Sequence, residues 1–262
     1  ASPELIEREW LVMQRDADTD RLRGHGSYKA LCSGFVLRLL LVAVTGWLLF
    51  QLCGMPAFSY YGPKMFKMIR IDAFAFQMVT TGLGFFIMFP TLWIIDRFGR
   101  KVLLKVGAVA MGVSMLALGI VGTSSIEIPQ LCPGSNEPTD CAHSIGYADG
   151  QVSVWTQAAI MFFSIVFCGA YSISWGAVMN VFGNEIFPLK FRARCVATGN
   201  FAGFVGNFCM GQFTPMLMDG IQFKTFFLFS VFDLLCFCFA CWIPETAGAH
   251  LEQLVPLFEK RL

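Results

Sequence analysis

Charged side chains are scarce in this chain of 262 residues. Asp, Glu, Lys and Arg make up 14% of it, against about 25% in soluble globular domains. Hydrophobic residues make up 56%, and the formal net charge is only +1. A chain with so small a basic excess is not expected to bind nucleic acid. The composition excludes an ordinary soluble domain and indicates an integral membrane protein.

Charged residues are also sparse within the long apolar runs. A very apolar soluble core would break its runs after about 10–14 residues, whereas a bilayer span needs about 20. Six runs are long enough, and they predict an all-α membrane protein with six transmembrane helices. The predicted spans are Phe35–Tyr61, Ala73–Ile95, Val102–Val121, Val154–Phe182, Val196–Met218 and Phe226–Ile243.

Lys and Arg are absent from one connection, residues 122–153, whereas the connections 96–101 and 183–195 are short and basic. Of the 19 Lys and Arg residues, 15 fall on one side of the predicted topology and 4 on the other. Because basic residues concentrate on the cytoplasmic side, we expect both termini in the cytoplasm. The predicted organisation is a partly helical cytoplasmic linker (1–34), a six-helix bundle (35–243) and a cytoplasmic tail (244–262).

Ten cysteines are present, but those in the spans lack companions at metal-ligand spacing, apart from Asp233. We expect them to behave as small apolar residues and predict no metal site. Cys132 and Cys141 lie in the outward-facing connection, where a disulfide is permitted; bonded and free thiols both stay open. The chain shows no nucleophile–base pair and no phosphate-binding loop, so we expect neither enzyme activity nor a cofactor.

Two short cytoplasmic turns combine acids with arginines. DRFGRK contains Asp96 and Arg100, and NEIFPLKFRAR contains Glu185 and Arg192. Pairing of either acid with either arginine across the turns would make charge-assisted hydrogen bonds between helix ends. Such a network would act as a latch that closes in one state and opens in another. The alternative is a pair of basic turns that only maintain topology.

Three motifs, in order along the chain, resemble the carboxyl-terminal half of sugar porters of the major facilitator superfamily, fungal members especially. FPTLWIIDRFGRK is similar to the D-x-x-G-R-[RK] turn after the eighth helix of that family. GNEIFPLKFRAR is similar to the E-x-F-P-x-x-x-R turn after the tenth, and IPETAGAHLEQL to the PET-x-G…LEE segment after the twelfth. QLCGMPAFSYYGPKMF is a weaker echo of QQxSGxNxxxYY in the seventh.

The resemblance implies transport of a sugar or sugar-like solute by alternating access, in a multi-pass protein of the plasma membrane. The chain would form the C-terminal bundle, and its partners would be the solute, the lipid bilayer and a missing N-terminal six-helix half. The resemblance also implies a gating salt-bridge network at the cytoplasmic face, formed by Asp96, Arg100, Glu185, Arg192 and Glu245.

Amide side chains that the family's pocket uses are partly missing. Gln51 and Asn207 fall on retained positions, and Asn180 stands where the family has a tryptophan, but Pro56 and Gly84 replace asparagines. We predict solute contacts from Gln51, Asn180 and Asn207, with interhelical hydrogen bonding as the alternative role. Each lost hydrogen bond costs about 1–3 kcal/mol, so an ordinary hexose should bind weakly. The pocket either serves a less polar or aromatic solute or has decayed.

Asp233 lies near the middle of the last predicted span. An ionisable group at that depth is a functional candidate, either in proton coupling or as a protonated structural contact. Two alternatives to transport also stay open for the whole chain: a membrane sensor or receptor that does not transport, and an incomplete fragment without transport activity.

Overall fold

A computed structural model of the chain describes residues 34–68, 72–125, 153–187 and 189–244, with the separate positions 10, 11 and 14. The regular structure of these residues is helical throughout, which confirms the all-α prediction. Most of the predicted linker, outward connection and tail lies outside the described residues. The helices are α1 (Gly34–Leu52), α2 (Met55–Met68), α3 (Ala73–Phe98), α4 (Arg100–Ser125), α5 (Val154–Ile173), α6 (Trp175–Glu185), α7 (Leu189–Ile221) and α8 (Thr225–Trp242), with a 3₁₀ turn at Gln222–Lys224 between the last two.

Two of the predicted spans are broken helices. The first divides into α1 and α2 at Cys53–Gly54, where Gly54 has a φ of +94°, a left-handed conformation that favours glycine. This span also continues beyond Tyr61, because α2 ends at Met68. Pro63 lies in the interior of α2. The fourth predicted span divides into α5 and α6 at Ser174. Interrupted helices are tolerated at membrane depth where they are buried in protein or line a cavity.

Four helical stretches are long and apolar enough to cross a membrane: Val36–Pro63, Arg100–Ser124, Val154–Glu185 and Phe191–Trp242. The last contains 52 residues, more than twice the length needed for one crossing, and it includes both α7 and α8. Phe76–Thr91 within α3 is a shorter apolar stretch. The helices agree with the six predicted runs, but a count of six crossings stays a prediction.

Helix α4 lies at the centre of the packing, with α5 and α8 along it, while α7 packs along α1. The break between α5 and α6 rests directly on α4. There the buried indole of Trp175 donates to the carbonyl of Leu104 at 3.1 Å, and the Ser174 side chain lies against Gly107. Trp175 is therefore a packing residue that fixes the position of α6.

The outward faces of several helices are apolar and exposed. On α3 the exposed large side chains include Phe85, Phe86 and Phe89, and on α7 they include Phe204 and Phe208. In a protein that spans a membrane, such faces lie against lipid tails or other membrane helices. Among the described residues, aromatic rings therefore lie both in the core, as Trp175 and Phe167 do, and on the outward faces.

Candidate functional site

A hydrogen-bonded set of three side chains joins three helices near the break in the first span. The Tyr60 hydroxyl of α2 donates to Oδ1 of Asn207 on α7 at 2.8 Å. Asn207 in turn donates from Nδ2 to Oε1 of Gln51, in the last turn of α1, at 3.3 Å. Gln51 and Asn207 are half-buried and Tyr60 is exposed. The structure thus brings together two of the three predicted solute contacts and adds a tyrosine.

Helix α7 reaches α1 because it presents a row of glycines to it. A Cβ on Gly199 would lie 2.8 Å from Trp47, and one on Gly206 would lie 3.3 Å from Gln51. Gly203, between them, faces both Trp47 and Gln51. Gly203 is therefore small enough to let the two helices meet.

Aromatic rings flank this set on α1. Phe50 stacks on Tyr171 with ring centroids 5.6 Å apart, and Trp47 meets Phe50 edge-on at the same distance. An apolar ring face beside amide groups suits a solute with a hydroxylated rim and an apolar face. Position 180 on α6 holds asparagine where the family has tryptophan, whereas these rings belong to α1 and α5.

Asn180 makes a local contact. Its Nδ2 donates to the carbonyl of Gly176 one turn earlier on α6, at 2.9 Å, and the side chain is exposed. A solute role for Asn180 stays a prediction.

A cavity of about 180 Å³ lies between α2, α3 and α5. At Gly84, where the family has asparagine, the hydroxyl oxygen of Ser172 lies 3.3 Å from the point that a Cβ would occupy. A serine on α5 therefore stands close to the space of the lost amide. The residues around this cavity are mixed polar and apolar: Met55, Phe58, Ser59, Gln77, Thr80, Thr81, Gly84, Cys168 and Ser172.

The two charged turns meet at the predicted cytoplasmic end of the bundle. Arg100, the first residue of α4, donates from Nη2 to Oε1 of Glu185, the last residue of α6, at 2.8 Å. Their side chains are 14% and 32% exposed, respectively, so the pair is only partly screened by water. Among the predicted cross-pairings, the structure describes this one. It forms where Gly99, with a φ of +83°, reverses the chain between α3 and α4.

Other members of the predicted network are less completely described. Arg192 donates from Nε to the carbonyl of Phe187 at 3.4 Å. The side chain of Asp96 and the whole of Glu245 lie outside the described residues, as do Cys132 and Cys141. Their predicted roles stay predictions.

A second contact at this end was not expected from the sequence. Lys101 donates from Nζ to the carbonyl of Ile243 at 2.6 Å, and so holds the carboxyl end of α8 against the amino end of α4. A cation at a helix C-terminus satisfies a carbonyl that the helix leaves unpaired and interacts favourably with the helix dipole. The motif that contains Lys101 marked the turn as basic but gave no sign of its partner.

A family profile described as "Sugar (and other) transporter" matches residues 7–258. The chain belongs to this sugar transporter family. Its fold is also that of a solved member of the major facilitator superfamily, the inward-open xylose transporter XylE from E. coli, with a TM-score of 0.65 and 21% identity over 94% of this chain and 46% of XylE.

Curated relatives in the sugar transporter family have different stated solutes. The chain is 27% identical to "Hexose transporter 2" of Kluyveromyces lactis over 93% of its own length. It is 30% identical to a "Probable quinate permease" of Aspergillus fumigatus over 79% of its length. It spans 41% and 36% of these two relatives. The chain therefore corresponds to less than half of a typical relative.

Proposed function

We propose that this chain forms the C-terminal half of a carrier that moves a sugar or sugar-like solute across a membrane by alternating access. Family membership and the hydrogen-bonded set of Gln51, Asn207 and Tyr60 support the proposal. The set is the main structural support, because it places amide and hydroxyl groups from α1, α2 and α7 at one point.

The solute would bind by replacing one hydrogen bond of this set with hydrogen bonds to the solute. The Tyr60–Asn207 bond at 2.8 Å is short, whereas the Asn207–Gln51 bond at 3.3 Å is long and therefore weaker. A solute hydroxyl placed between the two amides would donate to one and accept from the other. Solute binding would then connect α1 and α7, and Asn180 would contribute from α6.

A second six-helix half completes the proposed pathway, since family sites lie between two bundles. We place the carrier in the plasma membrane, with both termini in the cytoplasm. The Arg100–Glu185 pair, together with Asp96, Arg192 and Glu245, forms the latch that holds the cytoplasmic ends of the helices together in the outward-open state.

Uptake of radiolabelled solutes by the intact protein, expressed in cells that lack their own transporters, tests the proposal. We expect slow hexose uptake and a preference for a solute that needs fewer amide contacts, with quinate, xylose and glucose as the first panel. Uptake of glucose as fast as through an ordinary hexose transporter would refute the prediction that the pocket binds hexoses weakly. Binding without uptake of any solute would instead support a sensor.

Asn207→Leu tests the site itself. The leucine keeps the approximate volume but removes both bonds of the amide, so the KM of the accepted solute should rise about tenfold for a loss of about 1.4 kcal/mol. Asn184→Leu is the matched control, because Asn184 is exposed and bonds only to the carbonyl of Asn180 in its own helix. Equal KM values for the two variants would show that Asn207 does not contact the solute.

A further inference from the structure

Asp233 is a buried acid that the proposed transport site does not use. It lies on α8 and is 0% exposed. Within the described part of the chain, neither carboxyl oxygen has a hydrogen-bond partner. A buried polar group without a partner is rare in folded proteins and calls for a specific explanation.

The groups around Asp233 are already engaged with main-chain carbonyls. From α4, Gly112 faces it, and a Cβ there would lie 3.4 Å from the Asp233 Cβ. Ser230, one turn earlier on α8, donates to the Gly112 carbonyl at 3.3 Å. Cys236 on α8 donates to the Leu49 carbonyl of α1 at 3.7 Å. Helices α4 and α8 therefore meet at Asp233, with α1 close by, and the Ser230 hydroxyl and Cys236 thiol donate to main-chain carbonyls.

The break between α1 and α2 lies beside this acid. Cys53, at the break, is fully buried, interacts electrostatically with Asp233 and donates its thiol to the Phe50 carbonyl at 3.1 Å. The next residue is Gly54, whose left-handed conformation makes the break. A change in the angle between α1 and α2 would therefore alter the surroundings of Asp233 directly.

Along the described parts of α4 and α1, the cations lie well away from the residues beside Asp233. The titratable groups that interact with Asp233 are the thiols of Cys53 and Cys236, and Tyr171 on α5 interacts with Cys53. On α4 the nearest cation along the helix, Lys105, precedes Gly112 by seven residues, which is about 10 Å. On α1, Arg38 precedes Leu49 by eleven residues, which is about 16 Å.

The energetic costs of burying Asp233 in its charged and neutral forms indicate which ligand it binds. An unpaired carboxylate at this depth costs several kcal/mol, whereas a neutral acid without a partner costs about 1–3 kcal/mol. A metal ion would need further ligands, and no group of three or more His, Cys, Asp or Glu in the described ranges is arranged to supply them. A proton needs none.

We propose that Asp233 is a proton-binding site that keeps its proton while α1, α4 and α8 pack as described, and loses it when the break at Cys53–Gly54 opens to water. On release the carboxyl O–H bond breaks, its electron pair stays on the oxygen, and the proton passes to the water that has entered. This goes beyond the proposed function, because the ligand is a proton and the site holds it whichever solute is carried.

Infrared spectroscopy of the intact purified protein tests the bound proton. We expect the carbonyl stretching band of a protonated carboxyl at neutral pH, and we expect Asp233→Asn to remove it. Asp219→Asn is the matched control, because Asp219 is exposed near the end of α7 and its replacement should leave the band unchanged. If Asp233→Asn fails to fold, Asp233→Glu should keep the band but shift its frequency. A band that neither Asp233 variant alters would overturn the proposal.

Alkylation of Cys53 tests the link to the break. Peptide mass spectrometry would follow its labelling in native cysteines as the pH is raised from mildly acidic to mildly alkaline, with exposed Cys238 as the internal standard. Relative to Cys238, labelling of Cys53 should rise severalfold in the unmodified protein and stay low in Asp233→Asn, which cannot lose a proton. Equal profiles in the two proteins would overturn the link. Neither readout involves solute, so a failed uptake experiment would not be mistaken for failure here.

Discussion

The Arg100–Glu185 pair is the most informative single contact of the bundle. Its partial burial puts it between two limits. Exposed ion pairs contribute about 0–1 kcal/mol, while removal of one partner of a buried pair costs about 3–5 kcal/mol. We expect about 1–3 kcal/mol here, enough to change the balance between two conformations of a carrier.

Replacement of Glu185 by Gln should therefore favour the inward-open state. Cys195, near the start of α7, is fully buried in this structure, and its alkylation from the cytoplasmic side should increase in Glu185→Gln. The double exchange Arg100→Glu with Glu185→Arg restores opposite charges and should return alkylation toward the original level. Unchanged Cys195 labelling in the single variant would exclude a latch.

Adjacent tyrosines on α2 allow a second test on single residues. Tyr60 donates to the Asn207 side chain, whereas Tyr61 donates to the Gly211 carbonyl at 2.8 Å. Loss of one hydrogen bond costs about 1 kcal/mol. We expect Tyr60→Phe to raise the KM for the solute about fivefold with little change in kcat, and Tyr61→Phe to lower thermal stability without affecting KM. The reverse pattern in uptake kinetics would place the solute elsewhere.

The sequence predicts part of this site. The motif resemblance predicts Gln51 and Asn207, whereas no spacing rule predicts contact between residues so far apart in the chain. Tyr60 stands in the quoted SYYG segment, but two neighbouring tyrosines look alike until the helix turns one toward a side chain and the other toward a carbonyl. Lys101 was counted only as a basic residue, because the carbonyl that it contacts has no side-chain signature.

Helix breaks determine how the elements meet. The interruption at Ser174 seats α6 on α4, and the interruption at Cys53–Gly54 lets α1 and α2 contribute separately to the polar set. Hydropathy predicted the all-helical architecture, because burial in lipid demands long apolar runs, while the count of six crossings stays a prediction. It did not predict the interruptions, since single polar residues and glycines such as Ser174 and Gly54 also occur inside unbroken membrane helices.

The contact between α1 and α7 is where helix packing is tightest against the proposed site. Ala at Gly199 would place its Cβ 2.8 Å from Trp47, whereas Ala at Gly211 on the same helix meets nothing within 4 Å. Overpacking costs about 1–3 kcal/mol, so Gly199→Ala should lower the melting temperature in detergent and impair uptake. Gly211→Ala should change neither. Equal stability of the two variants would mean that Trp47 moves aside without cost.

Many large exposed side chains of the described residues are apolar, and most Lys and Arg residues are predicted to lie at the cytoplasmic end. This arrangement follows from the positive-inside distribution, and it supports a prediction about orientation. An impermeant thiol reagent should label Cys132 and Cys141 on intact cells, and it should label Phe98→Cys, at the exposed inner turn, only after the membrane is permeabilised.

The same labelling tests the predicted disulfide. If Cys132 and Cys141 are bonded, they should react only after a reducing agent is added, whereas Phe98→Cys should react without it once the membrane is open. Labelling of Phe98→Cys on intact cells would reverse the proposed topology.

The bond from Lys101 to the Ile243 carbonyl has a mechanical consequence. It attaches the residue that follows α8 to the first turn of α4, one residue from Arg100 of the Arg100–Glu185 pair. A force applied to the chain beyond Ile243 would therefore reach that ion pair through α4 before it could unwind the last turn of α8.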